Sequence, residues 1–203
     1  QKMIEGGLPA DKIAVKPNCI RNKVKHDLKT QTLNSNLEQY ALCVGRLSPE
    51  KGIFTLLDAW KLIVKKTNDK NFFYKKKLII AGSGPQKKEL EAYAITLGID
   101  SYVTFIGQQS QSEIAELMLS ARFLIFPSLW YETFGLTVLE AGILGTPSII
   151  SSGITTSSII EDGISGICFE RGNAEDMAVK IRWAMSNPVE CADIGRTASK
   201  QFS

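Results

Sequence analysis

The side chains best suited to bind an anion lie in residues 45–52, directly after a short apolar run. Arg46 can offer two parallel hydrogen bonds to phosphate oxygens, and Lys51 can add a second positive charge. Gly45 and Gly52 allow the backbone to approach a ligand closely, and a helix start favours negative charge. The segment matches neither G-x-x-x-x-G-K-[ST] nor G-x-G-x-x-G. Both a phosphate site and a capped turn with surface charges fit this segment.

Two carboxylates, Glu132 and Glu140, lie eight residues apart in the mostly apolar segment 126–141. Eight helical residues span ~12 Å, which exceeds the ~5–9.5 Å between the acid and base of a glycoside hydrolase. We therefore expect each carboxylate to contact a different part of one long ligand. A carboxylate on an apolar helix face is costly unless another group compensates its charge. For Glu140 that group could be a neighbouring cation or a ligand.

Two stretches of backbone are further candidate binding sites. The helix that carries Glu140 should begin with N–H groups that have no helical acceptor, and these favour an anion; they belong to Phe134, Gly135 and Leu136. A glycine-rich turn at residues 82–85, with Gly82 and Ser83, follows the second apolar run. Taken alone, that turn could serve only to reverse the chain, but it should share a sheet edge with the first site.

Short apolar runs alternate with segments of helical periodicity from residue 40 onward. The apolar runs predict strands at 40–45, 77–82, 102–107, 122–127, 148–150 and 166–169. Between them we predict a helix with Pro49 in its first turn, a helix at 86–97, one capped by Ser110 or Ser112, one at 134–144 and a closing helix at 174–185. This pattern predicts an α/β fold with a Rossmann-like, doubly wound parallel sheet. Ligands of such sheets bind beyond the carboxyl ends of the strands, where the candidate residues lie.

Composition excludes several classes of protein. The chain has 203 residues, of which 44% are hydrophobic and 22% charged, as in an ordinary globular protein. Its net charge of +3 is too small to indicate nucleic-acid binding by overall charge. No apolar run reaches the ~20 residues that span a bilayer. We predict reduced thiols in a cytosolic chain and no metal site, because the cysteines are scattered: Cys19, Cys43, Cys168 and Cys191. His26, the single histidine, lies outside any catalytic constellation.

Together these segments resemble the C-terminal, donor-binding domain of the retaining glycosyltransferases of family 4, or group 1, which have GT-B architecture. The resemblance covers almost the whole chain, and the order and spacing of its pieces carry it; they are residues 44–46, 50–52, 80–85, 103–107, 127–128, the E-x7-E element 132–140, 145–147 and 162–166. The resemblance implies that residues 1–22 are a remnant of the N-terminal domain and the interdomain hinge. Residues 23–203 would then form a nucleotide-sugar-binding domain, one half of a GT-B fold.

The resemblance also implies an activity, the transfer of a sugar from a nucleotide-diphosphate sugar to an acceptor hydroxyl with retained configuration. It suggests hexosyl transfer in the synthesis of cell-surface polysaccharide or glycoconjugate. Arg46 and Lys51 would neutralise the diphosphate and the leaving group, and Glu132 would contact the donor sugar. Glu140 would bind the ribose hydroxyls. In the family the leaving phosphate accepts the acceptor proton, so no cofactor and no metal is expected.

The remaining donor-binding roles are implied in the same way. Backbone around Phe134, Gly135 and Leu136 would hold sugar and phosphate, and Gly107 and Gln108 would lie near the base. The glycine-rich turns would complete the site with Gly45, Gly82 and Ser83.

The expected partners are the nucleotide-sugar donor and the N-terminal acceptor domain of a longer parent protein. We expect this chain to be inactive alone, to be cytoplasmic, and to meet a membrane only through the other half of the parent. A non-catalytic nucleotide-binding module is the alternative, and a parent without an acceptor domain would favour it. The absent G-x-G-x-x-G disfavours a third hypothesis, half of a dinucleotide-dependent oxidoreductase.

Overall fold

The computed structural model describes residues 40–65, 77–130 and 135–203. Six strands lie in these ranges: β1 Ala41–Val44, β2 Leu78–Ala81, β3 Val103–Gly107, β4 Phe123–Phe126, β5 Ser148–Ser151 and β6 Ile167–Phe169. The same ranges contain the helices α1 Ile53–Lys65, α2 Lys87–Leu97, α3 Gln111–Ser120, α4 Leu136–Ile143, α5 Ala174–Ser186 and α6 Pro188–Phe202. Short 3-10 helices occupy Pro49–Lys51, Asp100–Tyr102 and Thr155–Ile159.

All six strands form one parallel sheet in the order β3-β2-β1-β4-β5-β6. At the start of β1, Ala41 pairs with Leu78 on one side and with Phe123 on the other. The chain winds outward from β1 to β3 and then returns to the opposite side of β1 through β4. The point where the winding reverses therefore lies between the carboxyl ends of β1 and β4. The predicted doubly wound α/β sheet is confirmed.

Alternate residues of each strand face opposite helix layers. In β1, Ala41 and Cys43 belong to the core beneath α1, α2 and α5, whereas Leu42 belongs to the core beneath α3 and α4. Burial on both faces explains why the strands are almost wholly apolar. Each fully buried large aliphatic side chain contributes about 1.5–3 kcal/mol, so the two cores hold the strand ends, and hence the site, in place.

The first helix begins later than predicted. Pro49 lies in a 3-10 turn and not in α1, because Gly52 adopts a left-handed conformation with φ of +66° and ends that turn before Ile53. The sequence offered two valid signals, a proline that suits a first turn and a glycine that suits a helix end. The glycine decided where the turn stops.

The helix at 174–185 does not close the domain, since α6 follows it at once, with Pro188 in its first turn. The prediction overlooked α6 because, apart from Ile194, its buried face is made of small residues. Buried Cys191, Ile194, Gly195 and Ala198 nevertheless recur at helical spacing.

Several predictions concern residues outside the described ranges. They are the domain boundary near residue 22 and the roles of Cys19, His26, Glu132 and Phe134. Within the described residues, no helix is long and apolar enough to cross a membrane.

Candidate functional site

The loops that follow β1 and β4 are joined where the winding of the sheet reverses. The Glu50 carbonyl oxygen accepts hydrogen bonds from the Leu129 N–H (2.8 Å) and the Ser128 hydroxyl (3.2 Å). A Cβ at position 52 would collide with the Pro127 carbonyl oxygen, so Gly52 is required for this approach as well as for its positive φ. These contacts fix the cationic loop 45–52 beside the segment that leads into α4.

A second glycine contact joins the turn after β2 to the same loop. The Gly82 N–H donates to the Gly107 carbonyl oxygen (2.7 Å) at the end of β3. Gly82 has a φ of +147°, and a Cβ on it would overlap the Gly45 carbonyl oxygen. A Cβ on Gly84 would likewise overlap the Leu47 carbonyl oxygen. The glycine-rich turn of residues 82–85 is therefore packed tightly between the ends of β1 and β3.

A cleft of about 470 Å³ opens over the carboxyl ends of β1, β2 and β3. This volume falls within the ~300–1,000 Å³ of small-molecule pockets. Five of the predicted binding residues line it: Gly45, Arg46, Gly82, Ser83 and Gln108. The structure thus brings together residues that three separate strands deliver to one edge of the sheet.

Lys51, another predicted binding residue, does not line this cleft and lies against β4 instead. Its Nζ is 5.9 Å from the centroid of the Phe126 ring, a cation–π contact. The hydrogen bond from Ser48 (2.5 Å) and one from the Glu50 backbone hold the pKa of the Glu50 carboxyl below its usual range, and Lys51 and Arg46 lower it further. The loop thus carries two cations and one carboxylate, a net positive charge beside the end of β4.

The start of α4 lies against a buried hydroxyl. Gly135 caps the helix with a φ of +58°, and any Cβ there would overlap Thr156 Oγ1. Thr156 is buried, and its hydroxyl has no hydrogen-bond partner among the described residues. The first intrahelical bond runs from Val138 N–H to the Gly135 carbonyl oxygen (2.9 Å), so the preceding N–H groups of α4 have no helical acceptor. That end of α4 can accept negative charge.

Glu140 lies half-buried on the second turn of α4. Burial raises the pKa of its carboxyl above the usual range, and no side chain among the described residues pairs with it. Neither Glu140 nor Gly135 and Leu136 line the cleft over β1–β3. Gly107 does not line the cleft either. Its carbonyl oxygen accepts the hydrogen bond from the Gly82 N–H.

Comparison with known proteins decides the family of the chain. The sequence model of the family described as glycosyl transferases group 1 matches residues 24–201. The chain belongs to this family. It is 36% identical over 150 residues to an uncharacterized glycosyltransferase of Methanocaldococcus jannaschii, covering 74% of this chain and 36% of the relative. It is 30% identical over 166 residues to the D-rhamnosyltransferase WbpZ of Pseudomonas aeruginosa, covering 81% and 40%.

Solved glycosyltransferase structures share the fold. A mutant of S. aureus TarM, crystallised with fondaparinux, α-GlcNAc-glycerol and UDP, superposes with a TM-score of 0.72 at 26% identity. The match covers 81% of this chain and 32% of TarM. This chain therefore spans between about a third and two fifths of the length of these relatives. The Rossmann-like sheet of the family's GT-B enzymes is the fold observed here.

Sequence reasoning missed three residues of the group 1 glycosyltransferase domain that shape the site. Gln109 and Ile114 line the cleft, and Thr156 contacts the cap of α4. Gln109 directly follows a predicted site residue at the end of β3, which was a usable signal. Ile114 and Thr156 gave no such signal in the sequence. The path of the chain across the sheet brings α3 and the 3-10 helix Thr155–Ile159 to the site, and no local pattern predicts that path.

Proposed function

We propose that this chain is the donor-binding domain of a retaining glycosyltransferase of family 4. The parent enzyme transfers a hexosyl group from a nucleotide-diphosphate sugar to an acceptor hydroxyl, in the synthesis of cell-surface polysaccharide or glycoconjugate. The domain binds the donor, and the acceptor domain of the parent completes the reaction site. The chain alone is then inactive, and a membrane is contacted only through the parent's other half.

One observation carries this proposal, namely the joining of the β1 and β4 loops at the reversal point of the sheet. The contacts of the Glu50 carbonyl hold Arg46 and Lys51 next to the segment that leads into α4. The loop that carries these two cations thus lies at the place where doubly wound sheets bind ligands. A diphosphate meets the charge requirement of such a site.

The proposed roles follow from this charge arrangement. Arg46 and Lys51 neutralise the diphosphate and stabilise the charge that develops on it as the sugar departs. Glu140, a half-buried carboxylate on α4, accepts hydrogen bonds from the ribose hydroxyls. Backbone N–H groups at Gly135 and Leu136 hold phosphate and sugar oxygens. Glu132 contacts the sugar hydroxyls by analogy with the family, and the diphosphate itself accepts the acceptor proton without a metal.

Calorimetric titration of this chain with UDP, GDP and ADP and with the matching monophosphates tests the proposal. We expect at least one diphosphate to bind about tenfold or more tightly than its monophosphate, because the second phosphate reaches the cationic loop. Arg46→Ala should weaken that diphosphate about tenfold or more, since a hydrogen bond to a charged group contributes ~1.5–3 kcal/mol. The control Arg196→Ala removes an exposed arginine of α6 and should change nothing. Failure of every diphosphate to bind would contradict donor binding by this domain.

A further inference from the structure

The loop that follows β5 places a buried hydroxyl against the start of α4. Thr156, on the 3-10 helix Thr155–Ile159, is 1% exposed. Its Oγ1 lies where a Cβ of Gly135, the N-cap of α4, would stand. This hydroxyl has no hydrogen-bond partner among the described residues. Buried hydroxyls are nearly always hydrogen-bonded, so a hydroxyl without a partner at this place indicates that a ligand atom completes it.

The Thr156 hydroxyl does not serve as a cap of α4, because no N–H group of the first turn donates to it. The first intrahelical bond is made by the Val138 N–H, so the N–H groups of Leu136 and Thr137 have no helical acceptor. The hydroxyl and these two N–H groups can all donate to the oxygens of one phosphate group. The positive end of the helix dipole favours the charge of such a group.

We propose, on the basis of the donor-binding function above, that the Thr156 hydroxyl donates to an oxygen of the terminal phosphate of the nucleotide diphosphate. The cleft lies over β1, β2 and β3, whereas α4 and the loop after β5 lie on the other side of the point where the winding reverses. A nucleotide whose nucleoside part occupies the cleft extends its phosphates toward that point, with the terminal phosphate nearest to α4. Thr156 therefore binds the phosphate that carries the sugar.

Binding of the phosphate requires a small movement at the N-cap, because Thr156 Oγ1 is closed to solvent in the free domain. Gly135 lies against this oxygen and has a φ of +58°. Glycine changes its backbone conformation at little steric cost, so a shift of Gly135 can open the hydroxyl toward the ligand. The same burial excludes water, which strengthens a hydrogen bond formed there.

Calorimetric titration of the chain with UDP, GDP and ADP and with their monophosphates tests this role in Thr156→Val. Valine has nearly the shape of threonine but no hydroxyl. We compare the diphosphate that the wild type binds most tightly with its monophosphate. The ratio of their affinities should fall about tenfold in Thr156→Val, because a hydrogen bond to a charged group is lost. Thr156→Ser retains the hydroxyl and should keep the ratio.

Urea unfolding of the same variants without nucleotide separates ligand binding from a structural role of the hydroxyl. Thr156→Val removes a buried polar atom that has no partner, so its unfolding midpoint should not be lower than that of the wild type. A lower midpoint would mean that the hydroxyl is already bonded in the free domain, and it would overturn the proposal.

Ser148→Ala is the matched control. The Ser148 hydroxyl is also buried without a partner among the described residues, but Ser148 begins β5 and so lies at the opposite edge of the sheet. This variant should keep the ratio of affinities. An equal fall in Ser148→Ala, or an unchanged ratio in a folded Thr156→Val variant, would refute the role of Thr156 while leaving donor binding intact. Binding of no diphosphate to the wild type would overturn the proposed function as well.

Discussion

At the scale of single residues, the charges of the site are only partly balanced within the protein. Glu50 offsets one of the two cations of its loop and is held ionised by Ser48. Glu140 is different, because it is half-buried and no described side chain compensates its charge. A carboxylate in that situation destabilises the free protein when it ionises. Its placement is consistent with the proposed contact to ribose hydroxyls.

Glu140→Gln should therefore stabilise the protein at neutral pH and weaken nucleotide binding. The folded state raises the pKa of Glu140, so between the unfolded value of ~4.3 and that raised value the folded chain binds more protons than the unfolded one. The free energy of unfolding of the wild type therefore falls as pH rises through this window. In Glu140→Gln this contribution to the fall should be absent. The Glu140 side chain is only partly buried, and screening by solvent limits the gain to under about 1 kcal/mol. Urea unfolding from pH 4 to pH 7 measures the change.

Glu116→Gln provides the control for this pH profile, because it removes the same charge from an exposed position on α3. It should change neither the pH profile nor the affinity for nucleotide. A Glu140→Gln variant with an unaltered profile would mean that the carboxylate is not the source of the decline.

At the scale of elements, side chains next to the helix ends decide where several helices begin. Sequence pattern alone left Ser110 and Ser112 as alternative caps for α3. In the structure Ser110 accepts from the Glu113 N–H (3.3 Å), and the Glu113 carboxylate accepts from the Ser110 N–H (2.7 Å). This reciprocal capping box satisfies two N–H groups at once. It also fixes the start of the helix that carries Ile114 into the cleft.

Ser110→Ala should lower the free energy of unfolding by about 1 kcal/mol, because it removes the cap of α3. Ser112→Ala, two residues further along the chain, should cost less than about 0.5 kcal/mol. Chemical denaturation of both variants beside the wild type gives the two values. Equal losses would show that the capping box does not anchor α3.

At the scale of the whole described domain, α6 connects the two helix layers. Cys191 and Ile194 pack in the core beneath α1, α2 and α5, whereas Phe202 packs against the core beneath α3 and α4. Close approach is possible because α6 presents small residues. A Cβ on Gly195 would overlap the Gly145 carbonyl oxygen, just after α4. The last helix therefore secures the helix that carries Glu140.

Gly195→Ala should destabilise the domain although alanine is the better helix former. Helix propensity alone predicts a gain of about 1 kcal/mol. The added methyl group meets backbone atoms that cannot rotate away, and overpacking of this kind costs about 1–3 kcal/mol. We expect a net loss of at least about 1 kcal/mol in urea unfolding. Thr197→Ala, at an exposed position of the same helix, should be neutral or stabilising, and a stabilised Gly195→Ala variant would contradict the packing of α6 on α4.

Local sequence patterns are enough to predict the strands, most of the helices and the loops that carry the candidate binding residues. Each of these depends on neighbours close along the chain, such as the alternating burial in β1 or a glycine that ends a turn. Parallel strands deliver their carboxyl ends to one edge, so residues 45–52 and 82–85 could be expected to meet. Even α6 left a readable pattern, although its small residues made the pattern weak.

Contacts between distant parts of the chain decide which of these residues share one cleft. The Ser83–Gln108 hydrogen bond joins residues 25 apart in sequence, and the Ser128–Glu50 bond joins residues 78 apart. Such contacts depend on where the chain crosses the sheet, which no local pattern specifies. The same crossings leave Glu140 without a described partner and bring Thr156 against Gly135. Local spacing selects elements, whereas the packing of distant elements sets the geometry of the site.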